Sequence, residues 1–194
     1  MALRKLLSEK QIQDRVRELG AEIDRDYPDG TLYLICILKG GCFFLADLAR
    51  AIKRDAYLDF MGISSYGKGK TSSGEVRVTK DLDISLQGAD VLIVEDIVDT
   101  GVTLNYLTNL LKQRDPRSVR VATLLDKPSR RIRPVDTAYV GFTIPDEFVV
   151  GYGLDFAERY RNLPEVCILE PDVSESSPDE IHQPEPSLEP VSLY

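Results

Sequence analysis

Four consecutive aliphatic residues, Val91-Leu92-Ile93-Val94, run into two carboxylates, Glu95 and Asp96, and then into Asp99-Thr100-Gly101-Val102-Thr103, where a helical pattern starts at Val102. The apolar run is too short for a helix and fits a strand buried on both faces, which belongs in a parallel sheet covered by helices. A buried parallel strand that ends in acids, a Gly-containing turn and a helix start is where open α/β sheets bind ligands. The amides at that helix N-terminus have no intrahelical partners and suit a phosphate. The neighbouring acids suit Mg²⁺ or sugar hydroxyls. Together they point to a sugar phosphate carrying metal-bound charge.

The same strand–loop–helix unit occurs earlier. Thr31 to Leu38 reads as a buried strand, Lys39-Gly40-Gly41 as its turn and Cys42 to Lys53 as a helix with Phe43, Phe44, Leu45, Leu48 and Ile52 on one side. Before it, Ser8 with Gln11 makes a capping-box pattern, and Ile12, Val16, Leu19 and Ile23 recur at helical spacing. Further strands are predicted over 57–65, 118–125, 137–142 and 166–169. A short polar turn or helix is predicted over 155–161. Residues 76–80 alternate weakly and suit a ribbon arm beside the 57–65 strand. The stretch from Tyr66 to Glu75 carries three glycines and no aliphatic residue, which is the composition of a lid loop.

Charge divides the chain. The net charge is −8, but from Glu170 onward there are seven acids and neither Lys nor Arg, so residues 1–169 carry 25 acids against 24 bases. Five of the eleven prolines fall in the last 24 residues. The sequence therefore predicts one domain over 1–170 and a disordered acidic tail over 171–194. A nearly neutral body excludes the basic face of a nucleic-acid binder. No apolar run reaches the ~20 residues of a membrane span. Cys36, Cys42 and Cys167 show no metal spacing and indicate a reduced, cytoplasmic protein. The sole histidine, His182, lies in the tail, so acid–base chemistry in the body falls to carboxylates, Lys or Tyr.

Single motifs have ordinary readings. Glu95-Asp96 could be a hydrated strand end, Lys39-Gly40-Gly41 a plain turn, Lys127 a solvated lysine and Phe148 a core residue. The run Gly62 to Gly69 nearly spells a nucleotide-binding P-loop, but Gly69 stands where a Mg²⁺-binding hydroxyl belongs and no helix follows.

The 91–104 stretch resembles the phosphoribosyl pyrophosphate signature of type I phosphoribosyltransferases. The resemblance extends over about 7–169 and is closest to their hypoxanthine–guanine branch. It includes Leu38-Lys39-Gly40-Gly41, Ser64-Ser65-Tyr66-Gly67, Leu124-Leu125-Asp126-Lys127-Pro128 and Ile144 to Asp155. It implies an α/β fold with a central, mostly parallel twisted sheet flanked by helices, a small hood and a flexible lid loop. It implies purine salvage, with Mg²⁺-dependent transfer of 5-phosphoribosyl from phosphoribosyl pyrophosphate to N9 of hypoxanthine and guanine.

The resemblance also implies roles. Asp99 would move the N7 proton and Lys127 would donate to the purine O6. Phe148 would stack on the base, with Val149 reading its edge. Glu95 and Asp96 would hold the ribose directly or through Mg²⁺, and Asp155 would bind a second Mg²⁺ beside the purine. Asp99, Thr100, Gly101, Val102 and Thr103 would cradle the 5′-phosphate; some relatives carry Lys at the position of Val102, where backbone amides should suffice. Lys39-Gly40, where the family has a cis peptide, and Arg161 would hold pyrophosphate. Ser65 and Tyr66 would lead the lid. A homodimer or homotetramer is implied, without nucleic-acid or membrane partners. Adenine is disfavoured because Lys127 would face a donor, whereas xanthine stays open. A non-catalytic regulator on this fold is disfavoured by the presence of Asp99, Lys127 and Asp155.

Overall fold

The capping box predicted at Ser8 forms. Ser8 Oγ accepts from the Gln11 amide at 3.3 Å while the Ser8 amide donates to Gln11 Oε1 at 2.9 Å, which satisfies two amides at the start of the helix. The structure is a computed structural model and describes residues 1–65 and 76–170. The expected lid, Tyr66 to Glu75, and the acidic tail lie outside the described residues.

In chain order the elements are β1 (Ala2–Leu7), α1 (Glu9–Asp26), β2 (Leu32–Leu38), α2 (Cys42–Ala51), β3 (Tyr57–Ser65), β4 (Val76–Lys80) and β5 (Asp90–Val98). After them come α3 (Val102–Lys112), β6 (Ser118–Asp126), β7 (Thr137–Thr143), β8 (Val149–Val150) and β9 (Val166–Glu170). Six strands form one sheet in the order β4-β3-β2-β5-β6-β7. All neighbours in it are parallel except β3 and β4, the ribbon arm.

The aliphatic run of β5 is buried on both faces. Leu92 and Val94 pack with α1 and α2 residues such as Ile12, Leu19, Phe44 and Leu48. Val91 and Ile93 pack on the other side with Leu104, Leu107 and Leu111 of α3. Period-two alternation against two helical layers explains why polar residues appear only where the strand leaves the core.

The structure adds one element and decides another. Residues before Ser8, where Arg4 and Lys5 lie among Leu3, Leu6 and Leu7, are given no element by the sequence pattern. They nonetheless form β1, which pairs antiparallel with β9, and β9 pairs with β8 in a separate three-stranded sheet. Arg4 and Lys5 of β1 meet Glu170 and Glu165 across this small sheet. Its backbone pairing brings the first and last described residues together, which local pattern does not report. Of the turn or helix predicted over 155–161, the turn forms, with a bridge between Phe156 and Arg159. Positive φ angles at Ala157, Glu158 and Tyr160 interrupt any helical path.

In the main sheet β2 and β5 are neighbours, but the chain leaves β2 through α2 toward β3 and leaves β5 through α3 toward β6. The two loops diverge and open a crevice at the carboxyl ends of β2 and β5. That is the topological switch point where such sheets bind ligands.

Candidate active site

From the β2 side, Leu38-Lys39 is a cis peptide, one bond earlier than the Lys39-Gly40 position expected from the sequence. Gly40 lies against Asp96, so closely that a Cβ at residue 40 would overlap the Asp96 carboxylate. From the β5 side, Gly101 caps α3 with φ of 77° and no side chain caps the helix. Its left-handed conformation suits glycine. The loop is braced from behind, where the Ile132 and Arg133 amides donate to the Thr100 carbonyl at 2.8 and 3.0 Å.

Lys39, Gly40, Glu95, Asp96, Asp99, Thr100, Gly101, Thr103, Asp155 and Arg161 line a cavity of about 360 Å³ in this crevice. Val102 does not line it; its amide faces Thr100 Oγ1 at 3.5 Å, within the loop itself. Asp96 and Glu95 touch at the floor of the cavity. Burial, and then the adjacent Asp96 charge, push the Glu95 carboxyl well up, and burial raises Asp96 despite hydrogen bonds that favour its anion. Two acids held close with little water bind a proton together, or are relieved by a cation or by hydroxyl donors.

A second cavity of about 620 Å³ adjoins the first and shares Asp96, Ile97, Asp99 and Asp155 with it. Lys127, Arg130, Asp146, Glu147, Phe148, Val149 and Leu154 complete its lining. Lys127 is buried, in contrast to the solvated lysine that sequence alone would favour. Its amide bonds to the Val98 carbonyl at 2.9 Å and its ammonium donates to the Glu147 carbonyl at 2.5 Å. Phe148 is 54% exposed and meets Phe156 edge-to-face with centroids 5.8 Å apart. Its ring is therefore open to a ligand rather than part of the core. Val149, beside it, is buried.

Two site residues escaped the sequence reading. Arg130, at the end of a 3₁₀ turn after Lys127, places Nε 2.7 Å from Asp99 Oδ1. This contact lacks hydrogen-bond alignment, and that oxygen has no hydrogen-bond partner. Glu158 pairs with Lys39 at 3.0 Å, and a hydrogen bond from Lys39 holds its carboxyl below the usual range. A turn that follows Lys127 by three residues could have suggested Arg130. Nothing local marks Glu158, whose partner is distant in the chain.

Arg161 donates to the Gly153 carbonyl at 2.8 Å and forms an ion pair with Asp155 at 2.8 Å, while its Nε is buried without a partner. Ser65 ends β3, and Tyr66 lies outside the described residues. Among the described residues no group of three or more His, Cys, Asp or Glu could hold a metal. No helix among them is long and apolar enough to cross a membrane.

Residues 4–157 match the phosphoribosyl transferase domain model. The chain is 52% identical over 171 residues to the hypoxanthine-guanine phosphoribosyltransferase of Bacillus subtilis (strain 168), covering 88% of this chain and 95% of the relative. The corresponding protein of Mycobacterium avium is 54% identical over 174 residues, 87% of this chain and 86% of the relative. A crystal structure of hypoxanthine phosphoribosyltransferase from Staphylococcus aureus superimposes with a TM-score of 0.85 at 48% identity, covering 88% of this chain and 93% of that one.

Proposed function

This chain belongs to the hypoxanthine–guanine phosphoribosyltransferase family, and from that premise we propose how its residues divide the work of the reaction. The enzyme acts in purine salvage, joining N9 of hypoxanthine or guanine to C1 of phosphoribosyl pyrophosphate and releasing pyrophosphate. The observation that carries the assignment is the pair of joined cavities. One has an uncapped helix N-terminus and cations for phosphates; the other has an exposed aromatic ring and a buried lysine for a base.

As the C1–oxygen bond to pyrophosphate breaks, positive charge builds on the ribose and N9 closes on C1. Asp99, which lines both cavities, takes the proton from N7. Lys127, held by Glu147, faces O6 and offsets the charge that grows there. Phe148 stacks on the base and Val149 presents main-chain groups to its edge. The amides and hydroxyls from Asp99 to Thr103, Val102 contributing main chain only, receive the 5′-phosphate. Lys39, Gly40 and Arg161, which line the first cavity, receive the pyrophosphate. Ser65 and Tyr66 begin the lid that keeps water from the ribose cation.

Magnesium is the cofactor in this reading. The chain does not build a metal cage of its own among the described residues. The fit is nonetheless good, because Mg²⁺ keeps several waters and needs only one or two carboxylates plus substrate phosphates. Glu95 and Asp96 on one side and Asp155 on the other would supply them, and the mutual charge of the first two would be relieved. When bound, the ion neutralises charge on the departing pyrophosphate.

We also place the enzyme in the cytoplasm, in keeping with three free thiols, and as a homodimer or homotetramer. Tyr57 and Leu58, 58% and 49% exposed at the start of β3, offer apolar surface for self-association. Residues 1–170 form the catalytic domain, with 171–194 as an appended tail.

The deciding experiment is a spectrophotometric panel of hypoxanthine, guanine, xanthine and adenine with phosphoribosyl pyrophosphate and Mg²⁺. Turnover of the first two is expected. Preference for adenine would contradict the role of Lys127, and no turnover with any base would overturn the assignment. Sedimentation velocity tests the oligomer.

A further inference from the structure

Glu158 lies outside both cavities, yet it engages the two cations assigned to pyrophosphate. Its Oε2 stands 3.0 Å from Lys39 Nζ and 3.5 Å from Arg161 Nη2. One carboxylate oxygen thus joins a lysine from the β2 loop to an arginine from the 155–161 turn. The backbone sets it there. Ala157, Glu158 and Tyr160 adopt φ of 51°, 63° and 75°, left-handed values that side chains seldom take without surroundings that impose them. The Glu158 amide donates to Asp155 Oδ2 at 2.8 Å, and Phe156 and Arg159 exchange main-chain bonds at 3.1 and 3.0 Å across the turn.

The side chains are wet. Lys39 is 67% exposed and Glu158 66%, so their attraction has the modest strength of a surface pair. Such a pair forms readily and parts readily. A pyrophosphate group offers several charged oxygens to the same two donors, and charge-assisted bonds to phosphate are stronger than this single shared oxygen. Arg161 is also paired with Asp155, at 2.8 Å. A carboxylate that stayed in place would instead repel the incoming anion.

We propose that Glu158 is a displaceable counter-ion of the pyrophosphate subsite, which holds Lys39 and Arg161 until pyrophosphate takes them over. This rests on the assignment of Lys39 and Arg161 to pyrophosphate made above. The consequence is kinetic as well as thermodynamic. Competition from Glu158 weakens the hold on phosphoribosyl pyrophosphate, and its return to Lys39 helps expel the product pyrophosphate. Glu158 therefore tunes affinity for one substrate and leaves recognition of the purine alone.

The test is calorimetric titration of inorganic pyrophosphate, in magnesium-containing buffer of low ionic strength, into wild-type enzyme, Glu158→Gln and Glu158→Asp. Glu158→Gln should bind about fivefold more tightly, the modest gain expected from removing an exposed competing charge. The gain should shrink at ~0.5 M salt, where charges are screened within a few ångströms. Glu158→Asp, which keeps the charge on a shorter arm, should lie between the two. Equal or weaker binding by Glu158→Gln with an unchanged melting temperature overturns the proposal. Lys39→Ala separates the two levels of the argument. Weakened binding there with no gain in Glu158→Gln removes the counter-ion role and keeps the subsite, whereas unchanged binding in Lys39→Ala removes the subsite assignment itself.

Discussion

Lys127 and Glu147 are joined by a 2.5 Å hydrogen bond from the ammonium to a main-chain carbonyl. That bond ties the end of β6 to the loop that carries Phe148. The lysine is buried and stands 4.0 Å from Asp146, so its cation is held in place before any base arrives. A donor fixed in this way discriminates by what it faces, since an acceptor completes it and another donor does not.

Lys127→Ala should raise KM for 6-oxopurines by about 10- to 100-fold, the loss of one hydrogen bond from a charged donor. KM for phosphoribosyl pyrophosphate should change little. Initial-rate kinetics with both substrates varied would decide, and an unchanged purine KM would place the base elsewhere.

Asp99→Ala should lower kcat by ~10²–10⁴, the range for a general acid–base group. Binding of phosphoribosyl pyrophosphate should be largely retained, because the cradle is made of main-chain amides beyond Asp99. Near-normal turnover in the variant would remove Asp99 from the chemistry.

Gly40→Ala forces a methyl group into the space of the Asp96 carboxylate. Asp96 is short and lies at the cavity floor, so its displacement should raise KM for phosphoribosyl pyrophosphate at least about tenfold, as a misplaced binding group does. The melting temperature should move far less than the kinetics. A variant with wild-type kinetics would show that the Gly40–Asp96 approach is incidental.

Asp90 tests acid stability away from the site. Burial alone would raise its carboxyl, but bonds from Arg117 Nε at 3.1 Å and Ser118 Oγ at 2.6 Å outweigh it, and its pKa is held below the ordinary value. A folded pKa below the unfolded one gives stability that is present above the unfolded value of ~3.9 and lost as pH falls through the folded one. Asp90→Asn should cost about 1–3 kcal/mol at neutral pH. That deficit should narrow below about pH 4 in thermal melts. A deficit independent of pH would mean that packing, not charge, is its source.

The sequence by itself determined the elements whose information is local. The aliphatic run 91–94 demanded a strand with two covered faces, Ser8 and Gln11 capped α1, and Gly101 marked an uncapped helix start beside two acids. Resemblance over the same residues named the chemistry that the chain supports. Tertiary structure decided what depends on distant partners. Residues 2–7, with two charges among four apolar side chains, become β1 only because β9 supplies its hydrogen bonds. Lys127 is buried because Glu147 and Val98 satisfy its polar groups, and Phe148 is open because the loop carries it over the cavity rather than into the core. Arg130 and Glu158 acquire meaning only from Asp99 and Lys39. Periodicity reports which face of an element is apolar; it carries no record of which charged group from elsewhere in the chain will stand against it.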